Sequence, residues 1–324
     1  AHSQSRALNE EFRMHGNFHS EFLKKDRNVI VWLPPGYHSE PTKRYPVLYM
    51  HDGGVVFILW RIDEIAKPLI TSGQIEPLII VLVNHGGTED DRFDEYTPTK
   101  PPNFKSGGKA DSYGRMLVEE LKPFIDSQYR TLTDPANTGI GGVSLGAIVS
   151  LYLGLKYPMV FGKLAVISPS VWWDNKIIVR NVKDLKTKPA LRIWLDIGTG
   201  EGQRSVDATK ELRNAFVKKG WVLNSDLLYF EAKGSGHNEQ AFAQRAEPML
   251  KHLFPQHTNR GSGENPRLTS LRIKPLRVTV ASNSAFLPVA TGKSWRKVSR
   301  SRLQTFSPVY RIARSRELIR SLAV

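Results

Sequence analysis

The chain has 324 residues, a net charge of +15 and no cysteine. That length can bury a proper core as one large α/β domain or two small ones. The missing cysteines exclude disulfides and thiolate metal sites, and no run of about 18 apolar residues offers a membrane span.

The charge is uneven. Residues 256–324 hold 14 Lys and Arg against the two acids Glu264 and Glu317, a net +12, so only +3 of the total falls on the first 255 residues. The start, Ala1-His2-Ser3-Gln4, has no apolar h-region and does not begin with Met, so it reads as a mature or truncated product rather than a signal peptide. The compartment stays open.

Taken in chain order, residues 29–33 and 46–50 read as strands, 60–71 as a helix and 78–83 as a strand. The run Leu78-Ile79-Ile80-Val81-Leu82-Val83 is apolar on both faces, as expected of a strand covered from both sides. Residues 90–110, with Pro98, Pro101, Pro102, Gly107 and Gly108, read as a long loop. A helix follows at 112–128, a strand at 137–142 and a helix at 145–157, which Pro158 closes. Strands at 164–167 and 191–197 flank no predicted helix. A helix at 205–219 carries Val206, Leu212, Phe216 and Val217 on one side, and Gly220 sits where a left-handed cap belongs. A strand at 227–231 and a helix at 239–253 complete the pattern. Strands alternating with helices predict a mostly parallel sheet with helices on both faces. After Pro255, Gln256–Pro266 has linker composition, and the rest predicts a basic, poorly ordered extension in which Pro308 opens a short helix.

Gly142-Val143-Ser144-Leu145-Gly146 falls between a predicted strand and a predicted helix. A G-x-S-x-G on such a turn thrusts the serine hydroxyl out of the backbone, and the glycines avoid collisions that a Cβ would cause. Ser144 as a nucleophile needs a base, and the base needs an orienting carboxylate. His237, in Gly234-Ser235-Gly236-His237-Asn238-Glu239, lies after the predicted 227–231 strand, where a loop can carry it back over the sheet. Two carboxylates offer themselves in Trp194-Leu195-Asp196-Ile197-Gly198-Thr199-Gly200-Glu201. Asp196 falls inside the strand and Glu201 beyond its end, so geometry favours Glu201 and keeps Asp196 as the alternative. An oxyanion hole needs two backbone N–H groups. Leu145 supplies one, and His51-Asp52-Gly53-Gly54 is the source of the other, from Gly54 and then Gly53. His51 and Asp52 are expected to hold that loop by side-chain-to-backbone bonds. Trp172, Trp173 and Tyr96 sit on loops at strand ends and are candidates to line the substrate cleft.

With Val31-Trp32-Leu33-Pro34-Pro35-Gly36-Tyr37, Tyr49-Met50-His51-Asp52-Gly53-Gly54, Asp94-Glu95-Tyr96-Thr97-Pro98, Glu119-Glu120-Leu121-Lys122-Pro123-Phe124-Ile125, Ser168-Pro169-Ser170-Val171-Trp172-Trp173, Gly198-Thr199-Gly200-Glu201 and Gly236-His237-Asn238, the chain resembles the putative-esterase family of α/β hydrolases over about residues 15–254. That branch contains esterase D, feruloyl esterase and enterochelin-esterase-like proteins. The resemblance implies an α/β-hydrolase fold and a serine carboxylic-ester hydrolase that uses no cofactor and no metal. Its Gly-Thr-x-acid turn also points to Glu201. Relatives often carry Gln-Asn after the His-Asp-Gly element, where this chain has Gly54-Val55-Val56, so the acyl-pocket lining differs.

The implied partner is a small-molecule ester. An acyltransferase passing the acyl group to a sugar or lipid alcohol is the alternative enzyme. A non-enzymatic alternative is polyanion or membrane-surface binding by the basic extension, although that extension lacks a nucleic-acid-binding motif, so no specific nucleic acid is expected. The oligomeric state is not legible.

Overall fold

A computed structural model describes residues 9–256. The basic extension, with its expected disorder and short helix, lies outside the described residues from 257 onward. The body is an eight-stranded sheet in the order β1-β2-β4-β3-β5-β6-β7-β8. Strands β1 (Phe12–Ser20) and β2 (Lys25–Trp32) form an antiparallel hairpin, and β2 pairs antiparallel with β4 (Ile79–Val83). The remaining strands run parallel: β3 (Val47–His51), β4, β5 (Thr138–Val143), β6 (Lys163–Ile167), β7 (Arg192–Gly198) and β8 (Leu227–Ala232).

Side chains alternate cleanly between two cores. Val47, Tyr49, Ile79 and Val81 face one, while Leu48, Met50, Ile80 and Leu82 face the other, as the period of two in a strand requires. The first core is covered by α4 (Ala110–Arg115), α5 (Lys122–Gln128), α6 (Leu145–Lys156), α7 (Ile177–Lys183) and α8 (Gln203–Lys218). The second is covered by α2 (Ile62–Thr71) and α9 (Glu239–Leu253), with a single turn, α1 (Gly53–Val55), leading into a π-helical stretch at Val56–Trp60. No helix among the described residues is long and apolar enough to cross a membrane.

The fold agrees with the α/β-hydrolase expectation and corrects it locally. The expected loop at 90–110 opens with an eight-residue helix, α3 (Glu89–Tyr96). Thr88 and Asp91 form a reciprocal capping box there, and Glu89, Asp90 and Asp91 place negative charge at the helix N-terminus. That N-terminal chemistry outweighed the downstream prolines. The expected helix at 112–128 is broken by a π-helical stretch, Met116–Leu121, in which the Lys122 N–H donates to the Leu117 carbonyl. Pro123 follows at once and has no N–H to continue the α-helical ladder. Strand β1 escaped notice because only its ends, Phe12 and Ser20, are fully buried and a register shift interrupts it between His15 and Phe18.

Candidate active site

Six parallel strands share one carboxyl edge, and every candidate site residue leaves from it or from the segments just beyond. β5 ends at Val143, and Ser144 adopts φ 60° and ψ −115° before α6 begins. A non-glycine residue holds such a conformation only when its surroundings over-determine it. Here they do: the Ser144 N–H donates to the Ile167 carbonyl at 3.1 Å, and the Ser144 carbonyl accepts from the Ser170 N–H at 3.2 Å. A Cβ on Gly142 would lie 2.9 Å from the Gly146 carbonyl carbon, so the first turn of α6 closes over the strand end only because residue 142 is glycine. Ser144 is 7% exposed, and its Oγ is hydrogen-bonded to Ser170 Oγ at 2.9 Å.

Glu201 ends a 3₁₀ turn, Thr199–Glu201, directly after β7. Its Oε2 meets His237 Nδ1 at 2.7 Å. Its Oε1 accepts from Ser168 Oγ at 2.5 Å and from the Gly198 N–H at 2.8 Å. Burial pushes the carboxyl up, but hydrogen bonds from His237, Ser168 and Gly198 more than offset it, and Glu201 lies below the ordinary value of a glutamate. His237 sits in the β8–α9 loop with its ring edge-on to Phe242 at 4.9 Å. The carboxylate on Nδ1 makes that nitrogen the protonated one and leaves Nε2 as an acceptor. Asn238 then caps α9 through the Ala241 N–H at 3.0 Å, which fixes where the loop ends.

Asp196 is fully buried. Its Oδ1 accepts from Arg245 Nη1 at 2.6 Å and from the Ser168 N–H at 3.1 Å, and its Oδ2 accepts from Trp194 Nε1 at 2.6 Å. Burial raises it to about 6 despite the Arg245 guanidinium. Both oxygens are engaged, so the carboxylate that meets His237 is Glu201, not Asp196.

At the end of β3, the expected side-chain-to-backbone bonds are side-chain pairs instead. His51 Nδ1 is 2.8 Å from the Tyr113 hydroxyl, and burial depresses His51 to about 3. Asp52 accepts a bidentate pair of bonds from Arg92 at 2.8 and 2.9 Å. Gly54 N–H is engaged by Asn84 Oδ1 at 2.6 Å. Gly53 is where backbone comes closest, but to β4 rather than to a ligand: a Cβ there would lie 2.5 Å from the Leu82 carbonyl carbon. The Leu145 N–H, first in α6, has no intrahelical acceptor.

Of the three aromatic candidates, the structure leaves one at the surface. Tyr96 is buried, with its hydroxyl accepting from the Asp52 N–H at 3.0 Å. Trp173 is buried and donates to the Thr99 carbonyl at 3.1 Å. Both pack their loops onto the body. Trp172 is 46% exposed and stacks on Phe104 at 6.3 Å.

Sequence reading passed over Ser168, Ser170 and Arg245 as individual residues. The first two were visible as a Ser-Pro-Ser at a strand end; Arg245, inside α9, carried no local signal.

A family model described as "Putative esterase" matches residues 20–253. YbbA of Bacillus subtilis, an uncharacterized protein, is 26% identical over 247 residues, covering 72% of this chain and 95% of its own. An endo-1,4-beta-xylanase/feruloyl esterase of Xylanibacter ruminicola is 28% identical over 257 residues, covering 74% of this chain and 32% of its own. Among solved structures, the BES protein from Bacillus cereus superposes with a TM-score of 0.64 at 20% identity, covering 78% of this chain and 98% of its own. The enterobactin esterase FES from Shigella flexneri superposes with a TM-score of 0.62 at 19% identity, covering 77% and 62%. The chain therefore belongs to the "Putative esterase" family of α/β hydrolases and is a carboxylic-ester hydrolase.

Proposed function

We propose that ester cleavage runs through an acyl-serine on Ser144, with His237 as base and Glu201 as its orienting acid. The observation that carries this reading is the 2.7 Å bond between His237 Nδ1 and Glu201 Oε2 at the same sheet edge as the strained Ser144. In this reading the Ser144 hydroxyl leaves Ser170 Oγ by a side-chain rotation and turns to His237 Nε2. His237 takes the Ser144 proton as Oγ attacks the ester carbonyl. The Leu145 and Gly53 N–H groups face the developing oxyanion, since Gly54 N–H is engaged by Asn84. Collapse expels the alcohol, which receives the proton from His237. Water, deprotonated by the same imidazole, then releases the acid and restores Ser144.

Trp172 supports a reading of the substrate class. It lies two residues from Ser170, whose hydroxyl touches Ser144, and with Phe104 it presents aromatic surface. An ester whose acyl part bears an aromatic ring fits this surface, in keeping with relatives named for feruloyl and enterobactin esters. Purified protein is assayed on p-nitrophenyl acetate beside feruloyl and 2,3-dihydroxybenzoyl esters, with Ser144→Ala in parallel. Equal rates for wild type and Ser144→Ala overturn the acyl-serine, and a preference for the acetyl ester overturns the aromatic assignment. Adding an alcohol acceptor and analysing products separates hydrolysis from acyl transfer.

A further inference from the structure

The turn after β6 reaches the remote side of the Glu201 carboxylate. Ser168 sits there at φ 42°, in the left-handed region that non-glycine residues seldom occupy, and is fully buried. Its N–H is held by the Asp196 carbonyl at 3.1 Å and by Asp196 Oδ1 at 3.1 Å. Its Oγ accepts from Arg245 Nη1 at 3.0 Å. With a cation donating to it, the hydroxyl turns its own proton elsewhere, and it donates to Glu201 Oε1 at 2.5 Å. Arg245 is fixed in turn by Asp196 Oδ1 at 2.6 Å and by the Ala241 carbonyl at 3.0 Å from Nε, and its Nη2 lies 3.6 Å from Glu201 Oε1.

A chain of polar groups thus runs from the buried side chains of Asp196, Arg245, Ser168 and Glu201 to the partly exposed His237, drawn from β7 and the turn after it, α9, the β6 turn and the β8–α9 loop. Oε1 of Glu201 is saturated by two donors and a nearby cation, and Oε2 is left to His237 alone. Buried networks of this kind hold their members in one arrangement, and here Arg245 Nη2 alone of the named atoms makes an ion-pair approach rather than a hydrogen bond. A backbone outlier at one link is the kind of strain that persists where geometry matters.

We propose that Ser168, held by Arg245, is a positioning residue for the reaction: it fixes the Glu201 carboxylate so that Oε2 presents to the His237 imidazole. The inference rests on the triad reading above, with Ser168 acting through Glu201 and touching neither substrate nor Ser144.

Two variants test it, Ser168→Gly and Ser168→Ala. Glycine removes the hydroxyl and relaxes the positive φ, which offsets part of the stability lost with the two buried hydrogen bonds. Active-site concentration is measured by covalent labelling with a fluorophosphonate, so that kcat refers to folded sites only. A hydrogen bond to a charged group, if its loss is felt in the transition state, corresponds to roughly ten- to a hundredfold in rate, and kcat is expected to fall by that factor in both variants with KM within about twofold of wild type. The acid limb of kcat/KM moves upward, because losing the Ser168 donor lets the Glu201 carboxyl rise, while Arg245, Asp196 and Glu239 stay in place around it.

If kcat per labelled site stays within about twofold of wild type and the limb does not move, Ser168 merely supports the turn and the inference falls. Ser144→Ala run beside them separates the two levels. Should Ser144→Ala be inactive while Ser168→Gly matches wild type, only this inference fails. Should Ser144→Ala retain wild-type rate, the triad reading itself fails.

Discussion

The end of β3 and the adjoining ends of β7 and β8 carry the same kinds of groups: a histidine, a carboxylate and several glycines. They differ in which partners those groups find. At β3, His51 meets the Tyr113 hydroxyl and Asp52 meets Arg92, so each polar group is tied to a residue of a covering helix and the histidine is buried. At β7 and β8, Glu201 and His237 meet each other, and the histidine side chain remains 35% exposed. Burial holds His51 neutral far below physiological pH, whereas the Glu201 carboxylate is kept charged by donors on both oxygens. The comparison teaches that a His-acid pair beside glycines is available for proton transfer only when the two side chains face one another at an open edge. Otherwise it is scaffolding.

The largest test removes the nucleophile. Ser144→Ala is expected to lower kcat on a p-nitrophenyl ester by about 10⁶, and a loss of tenfold or less would place the chemistry elsewhere. The next compares two carboxylates of the same strand end. Glu201→Gln should cost about 10⁴ in kcat by leaving the imidazole unoriented. Asp196→Asn should lower kcat far less, about tenfold, and instead destabilise the fold by about 3 kcal/mol or more, because Arg245 is left buried without its partner. Kinetics and urea denaturation on the two variants check this, and the reverse ranking would return Asp196 to the role of acid.

The β3 end is probed by pH. His51 has a folded-state value of about 3 against 6.5 unfolded, so the unfolded chain binds the extra proton between those limits. The stability it contributes is complete above about 6.5 and is lost as pH falls toward 3, about 2 kcal/mol of it by pH 5. His252, depressed to about 4 mainly by burial, adds to the same slope. His51→Gln should flatten the difference in unfolding free energy between pH 7 and pH 5 by the His51 share, measured by urea titration at both. An unchanged slope would mean that His51 is not held neutral. The smallest effect is expected at the rim: Trp172→Ala should lower kcat/KM about tenfold on aromatic acyl esters and leave the acetyl ester near wild type.

Much of the site was legible locally. The strand–turn–helix around Ser144 needs only neighbouring residues to be recognised, since glycine at 142 answers a clash with residue 146, four positions away. Glu201 could be preferred over Asp196 by asking which lies beyond the strand end. The burial of Tyr96 and Trp173 is not legible in sequence, because a strand-end loop position does not say whether a ring points outward or folds under, as these two do. The engagement of the Gly54 N–H is equally hidden, because nothing nearby in sequence announces Asn84, 30 residues on, as its acceptor.

The sequence by itself determined the alternation of strands and helices from β2 onward, the glycine-flanked turn at Ser144 and the candidacy of His237 and Glu201 for base and acid. Each of these follows from side-chain periodicity, from backbone conformation at a glycine-flanked turn, or from position relative to a strand end. Only the tertiary structure decided that Arg245 and Asp196 pair behind Glu201, that Ser168 bridges them to it, and that His51 is locked under Tyr113. Those partners lie 28 to 77 residues apart, and which buried polar groups satisfy one another depends on how the strands and helices pack, not on any spacing along the chain.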